Sequence, residues 1–439
     1  MRFFVLFTLG LASAFPSLST AHTLFTTLFV NDVNQGDGTC VRMPKVSSTC
    51  TSPITDLDSP DMACGRDGQH AVGFTCLAAA GDKLTFEFRA WADASQPGVI
   101  DSSHLGSAAI YLKPVSNMTT SSAAGPNWFK IYAEGYDENM RKWATEKLID
   151  NHGLLSINLP VGLPTGYYLV RTEILALQNV SQDGYVDPQF YVNCAQLFIE
   201  GSSTSDTLTI PTGMEASIPG HVTANHPGLT FNIYQDDPLT TPYEVVGPAA
   251  FFSTSASTIA TTGKSYAKNY HQQDRQPAQA EGLIPPACLV KNANWCASLP
   301  PRYTDEATCW ASSADCFRQA EKCYASAPPT GCRGCRVWER DMCGAIQQGC
   351  RSGLWQGPPA DLAANVEKVE VDVPVPGGGK IPGAGNADVS WGREGGGGER
   401  GGVDLGSKKA VMAVVFGSPT ATAISGCCGK SRKRRRRLA

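Results

Sequence analysis

The sequence predicts an all-β chain: a two-sheet sandwich with long loops, then a small disulfide-rich helical module and a disordered tail. Three observations carry this expectation. Short runs of strand-type residues, each bounded by Gly, Pro, Asn or Asp, recur from residue 22 to about 252. Nine cysteines crowd into residues 284–352. From residue 353 onward, glycine and charge replace the apolar residues that a core would need.

The bulk numbers agree. A chain of 439 residues, 42% hydrophobic and 17% charged, has room for one large domain and smaller modules. A formal net charge of −4 excludes whole-molecule attraction to nucleic acid or to an anionic membrane. Sixteen cysteines suit an oxidising compartment.

Residues 1–21 are expected to be a secretory signal peptide: Met1-Arg2, then an apolar run from Phe3 to Ala12 that is too short to span a bilayer. No later stretch reaches transmembrane length, so the expected location is extracellular, with no membrane partner. Two small-x-small sites compete for cleavage. Ala12-Ser-Ala14 would leave Phe15 first, and Ser19-Thr-Ala21 would leave His22 first. Asn117-Met-Thr and Asn179-Val-Ser are glycosylation acceptors.

Within residues 22–252, Leu84, Phe86 and Phe88 alternate with Thr85, Glu87 and Arg89, the period-two pattern of a strand. Ala109–Leu112, Ser156–Pro160, Tyr167–Leu177 and Gln189–Glu200 read likewise. Residues 253–283, rich in Ser, Thr, Ala and Gln, read as a flexible linker. In the module at 284–352, Cys309, Cys316 and Cys323 are spaced by seven, as are Cys343 and Cys350. Seven residues are two helical turns, so each set lies on one helix face. Cys332-Arg-Gly-Cys335 has no second such pair at zinc-site spacing. The tail at 353–439 ends in Arg432–Arg437, read as a solvated basic run with no nucleic-acid partner.

Seven histidines are present, and none forms a His-Glu-x-x-His motif; no Gly-x-Ser-x-Gly elbow or phosphate-cradling loop appears. A glycoside hydrolase needs two carboxylates flanking the bond, and nothing singles out such a pair. His22 stands apart by its address. Cleavage after Ala21 would give this one residue a free α-amine and an imidazole. A second imidazole would complete three nitrogens in a plane, which favours Cu(II), with a tyrosine oxygen as axial neighbour.

Several motifs then occur in order: His22-Thr; Pro53-Ile-Thr-Asp56 and Asp61-Met-Ala-Cys64; His104-Leu-Gly106 leading into Ala109–Leu112; Trp128-Phe-Lys-Ile131; Tyr168-Leu-Val-Arg171 and Glu173–Leu177; Gln189-Phe-Tyr-Val-Asn-Cys-Ala-Gln196; Phe231-Asn-Ile-Tyr234; Gly247-Pro-Ala249. With these, residues 22–252 resemble the fungal lytic polysaccharide monooxygenases of auxiliary activity family nine, formerly glycoside hydrolases. The resemblance implies an immunoglobulin-like or fibronectin-like β-sandwich and cleavage before His22. It implies one copper held by the His22 amine and ring and by His104, with Tyr191 axial. Gln189, two positions before Tyr191 on the same strand face, would hydrogen-bond the oxygen co-substrate. His22, His104, Gln189 and Tyr191 are thus the expected catalytic set. Tyr234 would lie on a flat face that stacks on sugars, and Cys64 and Cys194 would form a disulfide. The implied reaction is oxidative cleavage of cellulose or a related β-1,4-glucan at C1, C4 or both, by a monomer. Dioxygen or hydrogen peroxide and an external electron donor would be consumed.

The chain departs from the family at Thr172 and Gln178, where histidines are usual. Gln178 matters more, because the family's histidine there sits beside the active-site glutamine. An amide hydrogen-bonds but cannot pass a proton by changing charge near neutral pH. The alternative is therefore a polysaccharide- or copper-binding protein with impaired turnover. Cysteine counts are odd in both parts. Cys40, Cys50, Cys64, Cys76 and Cys194 leave one unpaired, and in the module Cys332 or Cys335 is the expected extra. The module resembles a region appended to some family members.

Overall fold

Residues 22–201, 210–235, 242–251 and 278–358 are described by a computed structural model. The expected leader, most of the expected linker and the tail beyond 358 lie outside these residues.

The first strands are β1 (Leu24–Val30), β2 (Val33–Asn34), β3 (Val41–Arg42), β4 (Cys76–Ala79), β5 (Lys83–Arg89), β6 (Gly106–Val115) and β7 (Gly125–Glu134). They are followed by a short hairpin, β8 (Tyr136–Asp137) and β9 (Lys142–Trp143), then β10 (Leu154–Asn158), β11 (Gly166–Ala176), β12 (Gln189–Glu200) and β13 (Glu215–Ile218). Two short helices interrupt them, α1 (Asp61–Cys64) and α2 (Ala144–Asp150). One sheet runs β10-β5-β1-β2, and the larger runs β13-β7-β6-β11-β12-β3 with β4 parallel to β12.

One apolar cluster joins the two sheets: Phe25, Leu28 and Phe86 come from the smaller, and Ile110, Phe129, Val170 and Ala195 from the larger. A second cluster takes the intervening residues of the large sheet, among them Tyr111, Trp128, Leu169, Leu175 and Phe190. Successive residues of β6, β11 and β12 therefore feed opposite faces, and both faces are covered. That is why these strands are buried along nearly their whole length.

The polar side of β5 is also buried, closed by hydrogen bonds rather than by apolar packing. Arg89 donates to both Glu87 oxygens at 2.7 and 2.8 Å and to Asp37 at 2.7 and 3.0 Å. Thr85 and Ser156 share a 2.6 Å hydrogen bond.

Cys40 pairs with Cys76, and Cys64 with Cys194, which ties α1 to β12. Cys50 is the odd one, free and buried, with its thiol pushed up to about 11 chiefly by desolvation.

The module holds β14 (Lys291–Asn292), β15 (Trp295–Cys296), α3 (Glu306–Ser326), α4 (Arg333–Val337) and α5 (Gly344–Arg351). Helix α3 is capped by Asp305, whose carboxylate accepts the Thr308 N–H at 2.8 Å. Its cysteines 309, 316 and 323 pair in reverse order with Cys350, Cys343 and Cys335, so the helical face inferred from the spacing of seven lines up antiparallel to its partners. Cys288 pairs with Cys296. The leftover cysteine is Cys332, buried and free. Because the Cys335 sulfur is bonded to Cys323, Cys332 and Cys335 do not form a zinc pair.

The module is held against the β-domain by Asn294. Its side chain donates to the Gly38 carbonyl at 2.7 Å and accepts the Cys40 N–H at 2.9 Å. The end of the expected flexible linker is fixed as well. Gln279 donates to the Thr75 carbonyl at 2.9 Å, Gly282 accepts the Thr75 N–H at 2.8 Å, and Glu281 accepts from the Asn117 amide and the Met118 N–H. Composition marked this stretch as mobile, but side-chain partners far away in sequence pin it.

Candidate metal centre

His22 directly precedes β1, whose position is set by its ladder with β5 from Leu24 opposite Arg89 onward. His104 comes from the loop entering β6. Its N–H donates to the Asp101 carbonyl at 3.0 Å, and the Ser103 hydroxyl, itself donating to Asp101 Oδ1 at 2.7 Å, lies 3.2 Å from His104 Nδ1. Tyr191 rises from β12. The His22 and His104 rings each lie near the Tyr191 ring, at centroid distances of 6.2 and 6.3 Å and tilted by 43° and 45°. Residues 22, 104 and 191 are thus brought together from two sheets and a loop.

The electrostatics favour neutral rings. Burial lowers the His22 pKa, and the Arg66 guanidinium lowers it further. Burial also lowers His104; Asp101 opposes this, and His22 adds to it. A neutral imidazole is the form that ligates a metal. Burial pushes the Tyr191 hydroxyl up, so it remains a phenol. It donates to Gln189 Oε1 at 2.9 Å.

Gln189 opens β12, and Gln178 follows β11 across the same turn. The Gln178 amide donates to Gln189 Oε1 at 2.8 Å, while its own Oε1 is buried and has no partner. Tyr234 is 60% exposed and lies in a loop, not a strand; its hydroxyl donates to the Gln178 carbonyl at 3.1 Å. Thr172, by contrast, is buried opposite Asn193 and donates to that residue's carbonyl at 3.3 Å. Asn179 is exposed beside Gln178. Asn117 is half-buried, its amide on Glu281 and its oxygen accepting the N–H groups of Thr119 and Thr120 at 2.9 and 2.8 Å.

Two features escaped the sequence reading. Arg66, the charge beside His22, has no local signal. Asp101 does have one, since Asp-Ser-Ser before His104 is the pattern of an Asx turn, and the Ser103 N–H bonds Asp101 Oδ1 at 2.9 Å. Elsewhere, His221 is buried against Glu173 at 3.4 Å. Among the described residues no three His, Cys, Asp or Glu side chains gather as a metal cluster. A two-histidine centre completed by a terminal amine does not require one.

The model of Auxiliary Activity family 9 (formerly GH61) matches residues 22–243. The chain is similar to AA9 family lytic polysaccharide monooxygenase C of Aspergillus tamarii, 47% identical over 343 residues, covering 78% of this chain and 88% of that one. It is also similar to AA9 family lytic polysaccharide monooxygenase H of Botryotinia fuckeliana, 48% identical over 355 residues, covering 81% and 78%. Among solved structures, CvAA9A is 33% identical, with 52% of this chain and 97% of that one covered and a TM-score of 0.45. A cellulose-active polysaccharide monooxygenase from M. thermophila is 25% identical, with 52% and 99% covered and a TM-score of 0.42.

Proposed function

The chain belongs to auxiliary activity family 9, the lytic polysaccharide monooxygenases, and from that premise we propose that it is a secreted, copper-dependent enzyme that oxidatively cleaves cellulose or a related β-1,4-glucan at C1, C4 or both. The observation that carries the reading is the pair of histidine rings, each near Tyr191 and both with lowered pKa. Neutral nitrogens with a weak phenolic oxygen fit Cu(II) better than metals that prefer carboxylates or thiolates. In this reading the leader is removed before His22. The new α-amine and the ring of His22, with the ring of His104, hold the metal, and Tyr191 stands beside it. Copper, when bound and reduced by an external donor, supplies the activation of dioxygen or hydrogen peroxide.

The protein supplies orientation. Tyr191 and Gln178 both donate to Gln189 Oε1, which leaves the Gln189 N–H groups free to hold the co-substrate. The orphaned Gln178 Oε1 is an acceptor without a donor, suited to a proton-bearing atom of the co-substrate. It can hold that proton in a hydrogen bond but cannot take it up near neutral pH. Tyr234 presents an exposed ring to the glucan. The protein acts as a monomer, and Asn179 and Asn117 are its glycan acceptors.

Gln178 also favours a second reading, a binding protein with impaired turnover. Incubating secreted protein with cellulose, copper and a reductant separates them. Oxidised chain ends support the enzyme, reducing ends alone indicate a hydrolase, and neither indicates a binder. Mass spectrometry of the secreted N-terminus tests the ligand set independently, because a chain starting at Phe15 would lock the His22 amine in a peptide bond.

A further inference from the structure

The loop between β6 and β7 meets the segment that enters the module at one carboxylate. Glu281 accepts the Asn117 side-chain amide with one oxygen and the Met118 N–H with the other, the latter at 3.0 Å. Its backbone is tied as well, since the Ala280 and Glu281 N–H groups both donate to the Tyr167 hydroxyl at 2.7 Å. Shortly beyond, Ile284 packs against the cluster between the two sheets.

Asn117 is held with equal firmness. Its Oδ1 accepts the N–H and the hydroxyl of Thr119 at 2.9 and 2.7 Å, and those of Thr120 at 2.8 Å each. Its N–H donates to the Ser121 hydroxyl at 3.2 Å, and its carbonyl accepts the Ser121 N–H at 3.1 Å. With the side-chain oxygen committed to Thr119 and Thr120, the amide nitrogen is committed to Glu281. That nitrogen is the atom to which a glycan is joined in an Asn117-Met-Thr119 acceptor. A pyranose bonded there needs the space that the carboxylate fills, and the carboxylate yields it only by giving up the Met118 N–H too.

Order along the chain sets which comes first. Glu281 lies 164 residues after Asn117. At about 5–20 residues per second of synthesis, it follows roughly 10–30 s later. The nitrogen is thus open to modification before its cover has been made.

We propose that a glycan and Glu281 compete for the Asn117 nitrogen, so that each molecule is committed during synthesis either to a glycan or to a closed latch between the β-domain and the segment entering the module. The inference rests on the reading of Asn117 as a glycan acceptor in a secreted chain. A chain modified in time folds with its Met118 N–H released from Glu281. A chain that is missed is sealed by Glu281 and stays unmodified.

The test is hydrogen exchange on full-length secreted protein, read by mass spectrometry at the peptide that holds Met118. Protein glycosylated at Asn117 is compared with Thr119→Ala, which removes the acceptor pattern but keeps the Asn117 amide and three of the four donors to its oxygen. The Met118 amide should exchange about tenfold faster or more in the glycosylated protein. A glycan that merely shields the loop would slow exchange instead and overturn the proposal. Adding Glu281→Ala to Thr119→Ala should give the fast exchange with no glycan present; unchanged protection there would show that Glu281 is not the latch. Equal protection in the glycosylated protein and Thr119→Ala would overturn the competition and leave Asn117 an acceptor. Secreted protein with no glycan at Asn117 would overturn the acceptor reading and the inference with it.

Discussion

The β-domain and the cysteine-rich module reach stability by different means. In the β-domain two large apolar clusters cover both faces of the larger sheet, and only two disulfides are added. In the module, four of the twelve buried residues of the main cluster are disulfide cysteines, and a satellite cluster consists of three cysteines. A short chain cannot remove enough apolar surface from water, and cross-links make up the difference by restricting the unfolded state. The comparison teaches where chemistry is placed. The proposed site occupies loops and strand ends of the part whose core is large enough to spare them. The module's interior is given over to its own staples.

The sharpest way to separate the two parts is to remove the site and leave both folds. His104→Ala should lower copper affinity by more than about 100-fold, since losing a ligand exceeds the loss of an outer partner. Calorimetric titration checks this, with the melting of the metal-free protein little changed. Unchanged affinity would exclude His104 as a ligand.

Comparable in size is the loss of a buried charge of the β-domain. Burial alone would raise the Glu173 pKa, but Arg171 and His221 more than reverse this and bring it to about 2, against the usual 4.5. The folded state thus binds fewer protons than the unfolded one. Its contribution is complete above about pH 4.5 and is lost as pH falls toward 2. Glu173→Gln, by leaving Arg171 unpaired, should cost about 3–5 kcal/mol at neutral pH. Denaturant titrations should show a smaller acid-dependent loss in the variant than in the parent. Equal pH slopes would show that Glu173 is not the sensitive group.

The module can be broken in turn. Replacing Cys316 and Cys343 together with Ala opens a cross-link of sequence separation 27, worth about 3.5 kcal/mol by loop entropy. Limited proteolysis should then cut within residues 306–351 first, while copper affinity stays at the parent value. A parallel fall in copper affinity would show that the two parts do not stand apart.

The smallest effect tests Gln178. Gln178→His should raise oxidised product roughly tenfold if a titratable proton donor is missing there, with copper affinity unchanged. Equal activity would show that an amide suffices.

Much of this was legible from local pattern. The strand at Gln189–Glu200 has the same bounds in the sequence reading and in the structure. The spacing of seven in Cys309, Cys316 and Cys323 foretold a helical stripe because 3.6 residues per turn is a property of the backbone. His22 stood out because a possible cleavage site precedes it. The burial of Thr85, Glu87 and Arg89 was not legible, since it depends on Asp37 and Ser156, contributed by other parts of the chain.

The sequence by itself determined the β-rich domain, the helical cysteine stripe and the residues able to serve as nitrogen ligands. The first two are written in spacing along the covalent chain, where backbone geometry repeats every two or 3.6 residues; the candidate ligands were marked instead by the cleavage site before His22 and by the family resemblance at His104. Only the tertiary structure decided which cysteines stay free, Cys50 and Cys332. It alone set Arg66 near His22, pinned the linker's end through Glu281 and left Gln178 Oε1 without a donor. Those outcomes turn on which distant segments meet when apolar surface is buried, and no local periodicity encodes such a meeting.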